Sequence, residues 1–216
     1  MRIKSIIGIL AVLFLVWSIF PAFAEDFTNV SECMNITQSG NYRLVNSISG
    51  LLSGKNYCIN ISANDVVLDG EGFSVTGSGS ETGILVQANN VTIKNVSVSA
   101  YGFGIYLSSS SSNTIANNTI SNNNNGGGIS FYYSSNNTVT DNSLSGNHYN
   151  IYLYSSSYNR ISDCKIANID KTMYGIYTYG PWYGQPCDYG SNYNIFENNT
   201  ISDTYYGILI ESPRQN

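Results

Sequence analysis

Short segments in which apolar residues alternate with polar or aromatic ones recur along the chain about every 22 residues. In each segment an isoleucine and the residue two places later fall on one face, the period-two pattern of a strand with one buried side. These isoleucines lie 21, 24, 22, 25 and 32 residues apart. Self-similarity at a nearly fixed period predicts stacked units that bury their apolar faces against one another. The segments are residues 83–86, 104–107, 128–131, 150–153, 175–178 and 207–210.

Each repeat contains three short strands rather than one. Leu107 is followed by Ile115 eight residues later and by Ile120 five residues after that, and the same offsets recur from Phe131 and from Leu153. Glycine, or asparagine in one repeat, precedes each isoleucine of the repeat, and both tolerate the left-handed backbone of tight turns. Three strands per repeat predict an all-β parallel β-helix of six to seven coils, spaced about 4.7–4.9 Å along the stack.

Polar residues keep the same phase as the apolar ones. One turn position, three residues after the apolar residue of the second strand, holds asparagine in three repeats and cysteine in one. Stacked asparagine side chains at such a turn can hydrogen-bond along the column. The serine tracts 108–112, 134–135 and 155–157 also stay in phase, so they are predicted to be ordered turns rather than linkers. The asparagine column consists of Asn118, Asn142, Cys164 and Asn199.

The regular spacing is interrupted once, late in the chain. From Thr178 to Phe196 the offset is 18 instead of 8, which places a ten-residue insertion near residues 181–190. A loop that leaves a rigid scaffold is a frequent binding element. The alternative is a loop with no binding role, which Cys187 holds against the scaffold.

The first residues have the pattern of a secretory signal. Arg2 and Lys4 precede an apolar stretch, and the small residues at 22–24 fit a cleavage site, so residues 1–24 are predicted to be a signal peptide. A retained membrane anchor is the alternative, since the apolar run is near the lower limit for spanning a bilayer. Residues 25–64 are predicted to form an N-terminal capping region, residues 65–212 the repeats, and residues 213–216 a tail. Because no amphipathic cap follows the last strand, we expect either a longer natural chain or a partner that stacks on the last coil.

Charge narrows the choice of partners. Without the signal peptide the chain has seven basic and fourteen acidic residues, a net charge of −7. Excess carboxylates repel phosphate backbones, so nucleic acid is not an expected ligand. We expect a secreted or cell-surface protein with no membrane span in the mature chain.

Four cysteines in a secreted chain suggest two disulfides. The preferred pairing is Cys33 with Cys58 and Cys164 with Cys187, while a buried thiol at Cys164 is an open alternative. Eight sequons are present, and only some of them would carry a glycan in a glycosylating host. They start at Asn29, Asn35, Asn60, Asn90, Asn95, Asn117, Asn136 and Asn198.

The recurring phrase Asn-x-Ile-x-x-Asn-x-Ile, as at residues 113–120, is followed by Gly-Ile-Tyr-Leu or a close variant. Together with the motif at residues 65–77, it resembles the right-handed parallel β-helix proteins of the pectin-lyase-like superfamily. Within that superfamily the resemblance is to NosD-like repeat proteins of archaeal and bacterial cell surfaces. It covers roughly residues 40–212 and implies the fold, but not the activity, because the same scaffold supports lyases, hydrolases, epimerases and adhesins.

The enzymes of this superfamily imply site residues that the chain does not match. Its lyases use clustered Ca²⁺-binding acids with a basic residue, and its hydrolases use several aspartates with a histidine. The arginines and the single histidine, His148, form no such cluster in the sequence. The copper-maturation role linked to NosD is the least favoured, because one histidine with Met34 and Met173 makes a poor copper site.

Tyrosines dominate the outward positions of the first strand of each repeat. Flat aromatic rings with a polar tip suit sugars or a protein partner, while cross-strand packing is the structural alternative. One predicted outward column is Tyr106, Ser130, Tyr152, Tyr177 and Leu209, and its neighbour is Ser108, Tyr132, Tyr154, Tyr179 and Glu211. The candidate binding residues are Tyr106, Tyr132, Tyr152, Tyr154, Tyr177, Tyr179 and, in the insertion, Trp182.

Asp141 and Asp163 share one turn position in neighbouring repeats. Two carboxylates one coil apart can act as an acid–base pair or bind Ca²⁺, and solvated turn aspartates are the alternative. No other cofactor or metal is expected. The favoured hypothesis is therefore a non-catalytic surface protein that binds a polysaccharide or a surface glycoprotein, and the alternative is a polysaccharide lyase, hydrolase or epimerase.

Overall fold

The computed structural model describes residues 26–168, 173–180 and 190–211. Within these ranges the chain forms 23 strands and no helix, in three parallel sheets. The predicted signal peptide, nearly all of the insertion with Trp182 and Cys187, and the predicted tail lie outside the described residues. No helix long and apolar enough to cross a membrane occurs in the part of the chain that the structure describes.

Sheet A has eight strands. They are β1 (Phe27–Val30), β3 (Gly40–Leu44), β6 (Val66–Asp69), β9 (Thr92–Lys94), β12 (Thr114–Ala116), β15 (Thr138–Thr140), β18 (Arg160–Ser162) and β21 (Ile195–Glu197).

Sheet B also has eight strands, and from β11 onward each has six residues. They are β2 (Asn35–Ile36), β5 (Tyr57–Ile61), β8 (Thr82–Val86), β11 (Phe103–Ser108), β14 (Gly127–Tyr132), β17 (Tyr149–Tyr154), β20 (Tyr174–Tyr179) and β23 (Tyr206–Glu211).

Sheet C has seven strands of two or three residues. They are β4 (Ile48–Ser49), β7 (Ser74–Thr76), β10 (Ser97–Ser99), β13 (Thr119–Ser121), β16 (Ser143–Ser145), β19 (Lys165–Ala167) and β22 (Thr200–Ser202).

The chain visits sheets B, A and C in that order, once per coil, and every strand pairs in parallel with its copies in the adjacent coils. The predicted repeat sets the register, since its isoleucines pair directly with one another. That column runs Ile59, Ile84, Ile105, Ile129, Ile151, Ile176 and Ile208. The all-β parallel β-helix with three strands per coil is confirmed.

The interior of the coils is filled by the apolar residues of the repeat. Ile115 of sheet A and Ile120 of sheet C are almost completely buried and meet Ile105 and Leu107 of sheet B inside the coil. Burying each such side chain contributes about 1.5–3 kcal/mol, and the columns repeat this gain coil after coil. Ile208 and Ile210 continue the columns of β20 but are exposed, because none of the described residues stacks on them.

Hydrogen-bonded ladders of polar side chains line the turns between the sheets. At the turn from sheet A to sheet C, Asn118 accepts the backbone N–H of Val96 through Oδ1 at 3.1 Å, and Asn142 accepts that of Asn118 at 2.9 Å. Asn199 accepts the backbone N–H of Cys164 at 3.0 Å. This confirms the predicted asparagine column, and it satisfies backbone donors that no strand partner reaches.

Three further ladders hold the other two turns. The serine ladder confirms that the serine tracts are ordered turns, because each hydroxyl accepts a backbone N–H from the preceding coil. The two other asparagine ladders repeat the same contact at 2.8–3.0 Å. At the turn from sheet B to sheet A, the serine ladder consists of Ser134, Ser156 and Ser191, and one asparagine ladder consists of Asn113, Asn137, Asn159 and Asn194. At the turn from sheet C to sheet B, the other asparagine ladder consists of Asn123 and Asn147.

The cysteines follow one of the two preferred pairings. Cys33 and Cys58 form the predicted disulfide, with their Cα atoms 4.6 Å apart, on neighbouring coils. The pairing of Cys164 with Cys187 is wrong, because Cys164 carries a free thiol that is buried in the asparagine column. There the sulfur donates to the Ser162 carbonyl at 3.2 Å and lies 4.0 Å from the side-chain nitrogen of Asn142.

Candidate binding surface

The predicted tyrosine columns lie on the outer side of sheet B. In one column Tyr106 pairs with Ser130, Ser130 with Tyr152, and Tyr152 with Tyr177. In the other column the register pairs Tyr132 with Tyr154 and Tyr154 with Tyr179. The structure therefore brings together all the candidate tyrosines, while Trp182 lies outside the described residues.

A third column, which the period-two pattern does not predict, widens this surface. Strict alternation would place Tyr149 on the same side as Ile151, that is, inside the coil. Instead Asn150 and Ile151 are both buried, so the outward positions of the strand are its first, fourth and sixth residues. Two successive inward residues shift the phase of the alternation, and the register with the neighbouring strands stays one-to-one. The column is Phe103, Gly127, Tyr149, Tyr174 and Tyr206.

The rings of these columns pack against one another. Tyr149 stacks on Tyr152 and on Tyr177, each with ring centroids 5.1 Å apart, and Tyr152 stacks on Tyr177 at 5.4 Å. Tyr132 stacks on Tyr154 at 5.2 Å. Each of these stacked pairs contributes about 0.5–1.5 kcal/mol beyond its buried area. Because ring faces are used in these contacts, the surface presents mainly ring edges and hydroxyl groups.

Small residues in one coil make room for the rings. Ser130 was expected to be exposed in its column, but it is completely buried because the neighbouring rings close over it. A Cβ atom on Gly126 would clash with the ring of Phe103, and one on Gly127 would lie 2.9 Å from the Tyr149 carbonyl oxygen. The glycines at the start of β14 are therefore required by the close approach of the aromatic residues.

Four hydroxyl groups of this surface have a pKa raised by burial and are neutral at physiological pH. Burial, followed by the neighbouring tyrosines, raises the pKa of Tyr152. Burial also raises the pKa of Tyr177, as does its hydrogen bond to Glu211, whose Oε2 accepts from the hydroxyl at 2.6 Å. Burial likewise raises the pKa of Tyr106 and of Tyr132. The surface is thus an array of neutral donors and acceptors with a carboxylate at one end.

His148 lies at the edge of this array. Its ring contacts that of Tyr149 edge-on, with centroids 4.5 Å apart, and it is partly buried. The contact explains why a histidine stands directly before the strand, and it requires no catalytic role.

The candidate acids lie elsewhere on the molecule. Asp141 and Asp163 are exposed at the turn between sheets A and C, with left-handed φ angles of 55° and 56°. Thr140 Oγ1 donates to Asp141 Oδ2 at 3.0 Å. Within the described ranges no group of three or more His, Cys, Asp or Glu residues could hold a metal ion. The two aspartates share a turn column as predicted, and the backbone N–H of Asp163 donates to the Glu197 carbonyl at 3.2 Å.

The best-connected carboxylate is Asp69, in the motif that opens the regular repeats. It accepts the backbone N–H of Glu71 and the side-chain amide of Asn95, both at 3.0 Å, and pairs with Lys94 Nζ at 3.0 Å. Burial alone would raise the pKa of Asp69, but these hydrogen bonds and the lysine charge lower it overall. An open cavity of about 380 Å³ lies beside this turn, lined by Glu71, Gly72 and Asn95 among others. Asp69 therefore fixes the turn.

Comparison with known proteins identifies the scaffold. The sequence family described as "Right handed beta helix region" matches residues 82–216. Among solved structures, the chain is similar to the Dettilon tailspike protein, with a TM-score of 0.47 and 13% identity over 72% of this chain and 44% of the tailspike. It is also similar to the enzymatically active domain of tailspike protein 2 of bacteriophage CBA120, with a TM-score of 0.46 and 11% identity over 85% and 39% of the two chains. The chain thus spans less than half the length of either tailspike. No curated protein matches the sequence, and the finer resemblance to NosD-like proteins stays a prediction.

Proposed function

The chain belongs to the right-handed β-helix family, and we propose that it is a secreted or cell-surface protein that binds glycans, including those of neighbouring surface glycoproteins, through the tyrosine surface of sheet B. The scaffold alone does not decide the activity. The observation that carries the proposal is the three-column array of partly exposed tyrosines on one flat sheet. The disulfide between Cys33 and Cys58 supports an oxidising, extracellular location.

The geometry favours hydrogen bonding over ring stacking within this array. The faces of most rings pack against neighbouring rings, so a bound sugar would contact hydroxyl groups and ring edges. A parallel sheet sets these groups at a repeat of about 4.7–4.9 Å along the stack, which suits an extended polymer better than a single small molecule. Neutral phenols are both donors and acceptors, as are the hydroxyl groups of a sugar.

The test removes hydroxyl groups while keeping the packed rings. The double variant Tyr152→Phe with Tyr177→Phe should lose about tenfold in affinity on a glycan array and in calorimetry, since each lost hydrogen bond contributes about 0.5–1.5 kcal/mol. Tyr42→Phe is the matched control, because Tyr42 is buried in sheet A and its hydroxyl donates to the Gln38 carbonyl at 3.0 Å. Unchanged glycan affinity in the double variant would overturn the assignment to this surface.

The enzymatic alternative is tested by a separate activity assay. Release of unsaturated or reducing sugars from uronate polymers, abolished by Asp163→Asn, would show a polysaccharide-modifying enzyme instead. No observation in the described part of the chain favours this alternative, since Asp141 and Asp163 stand exposed at a turn.

A further inference from the structure

Three tyrosines of the described residues have left-handed φ angles, Tyr133, Tyr158 and Tyr193, and the last two share one turn column. Tyr158 and Tyr193 lie at the turn between sheets B and A, with left-handed φ angles of 58° and 56°. The same turn position holds Asn90, Ser112 and Asn136 in earlier coils, also at left-handed φ. Asparagine adopts this conformation readily, whereas a bulky side chain there is a genuine outlier.

Burial does not compensate for this strain. Tyr158 is 58% exposed and Tyr193 is 73% exposed, so neither ring adds much to the core. Strained positions whose side chains add little to the core are found preferentially at binding and catalytic sites. An observed outlier of this kind motivates a functional hypothesis.

The two rings form a stacked pair. Their centroids are 4.9 Å apart with an interplanar angle of 15°. The turn ladders fix the backbone beneath them, because Tyr158 N–H donates to the Asn192 carbonyl at 3.0 Å and Asn159 N–H donates to Asn194 Oδ1 at 2.8 Å. A pair held in this way loses little conformational freedom when a ligand binds.

We propose that the pair Tyr158–Tyr193, here called the corner platform, is a sugar-stacking subsite that takes one pyranose ring of a glycan chain. This inference rests on the proposed glycan-binding function and adds to it a site of different chemistry. On sheet B the ring faces are used by neighbouring rings, whereas the high exposure of Tyr193 leaves one of its faces open. The C–H groups on one side of a pyranose pack on such a face.

The size and surroundings of the corner platform favour a sugar over a protein partner. At these exposures the two side chains present on the order of 300 Å², far below the roughly 800 Å² per partner of a standard protein interface. Arg160 and Glu197 form an ion pair on the adjoining strands β18 and β21. A guanidinium and a carboxylate side by side can hydrogen-bond to neighbouring hydroxyl groups of a sugar.

The test uses asparagine, the residue that the same column holds in other coils. The double variant Tyr158→Asn with Tyr193→Asn should bind cello-, chito- or oligogalacturonate hexasaccharides at least tenfold more weakly than the wild-type chain in calorimetry, for whichever probe the wild type binds. Its thermal midpoint should be unchanged or higher, because asparagine relieves the backbone strain. A structural role for the rings predicts the opposite pair of results, a lower midpoint with unchanged affinity, and that outcome would overturn the corner platform.

Comparison with the sheet B variants separates the two proposals. Loss of affinity in Tyr152→Phe with Tyr177→Phe, together with full affinity in the corner variant, would leave the proposed function standing and remove the corner platform. Loss in both would support both sites. If no hexasaccharide and no array glycan binds the wild-type chain, both proposals are wrong.

Discussion

At the scale of single residues, Cys164 is the irregular member of an otherwise uniform asparagine column. Its sulfur is a weak acceptor, 4.0 Å from the Asn142 side-chain nitrogen, where an asparagine Oδ1 would accept a full hydrogen bond. Cys164→Asn should therefore raise stability by about 1 kcal/mol, or the thermal midpoint by about 2–4 °C. Thermal unfolding followed by circular dichroism measures the change.

The reverse substitution supplies the control for this column. Asn118→Cys should lower the midpoint, because Asn118 Nδ2 now donates to Asn142 Oδ1 at 3.0 Å and to the Ile93 carbonyl at 3.1 Å. If Cys164→Asn were itself destabilising, the site would be too tightly packed for an amide, and the column would depend on side-chain volume rather than on hydrogen bonding.

At the scale of elements, the turn after β6 depends on the charge of Asp69. The pKa of Asp69 is lowered in the folded chain, so its carboxylate contributes stability above the unfolded pKa, about 3.9, and this contribution is lost as pH falls through the folded value. Wild-type protein should be more stable than Asp69→Asn at neutral pH, and the difference in thermal midpoint should shrink below about pH 4. A difference that does not change with pH would show that shape, not charge, fixes this turn.

Elements also show where sequence reasoning succeeds and where it stops. The strands and their register follow from a repeat in which Ile105 and Leu107 alternate with outward residues, so the period-two pattern was sufficient. The column of Tyr149 does not follow from the sequence because Asn150 turns inward beside Ile151, and a period-two pattern does not signal two successive inward residues. The corner platform was missed because left-handed φ at Tyr158 is a property of the stacked turn, which only the three-dimensional register reveals.

At the scale of the whole molecule, folding couples the tyrosines of sheet B to the stability of the stack. Burial raises the pKa of Tyr106, Tyr132, Tyr149, Tyr152, Tyr154 and Tyr177, and in the core it raises the pKa of Tyr101 to about 12. A group whose pKa is raised by folding contributes stability that is complete below its unfolded pKa, about 10, and is lost as pH rises toward the folded value. The stack should therefore lose stability steeply above about pH 10.

This coupling predicts a cooperative alkaline transition. The part of the tyrosinate absorbance that comes from these seven phenols should rise together with the loss of the β-sheet circular dichroism signal, since folding raises their pKa. Tyr152→Phe with Tyr177→Phe should shift the transition to higher pH, because two groups that favour unfolding on ionisation are removed while their rings stay packed. If the two substitutions removed tyrosinate absorbance that appears while the sheet signal is still intact, the coupling would be contradicted, because water would then reach the hydroxyl groups of the array without opening the coils.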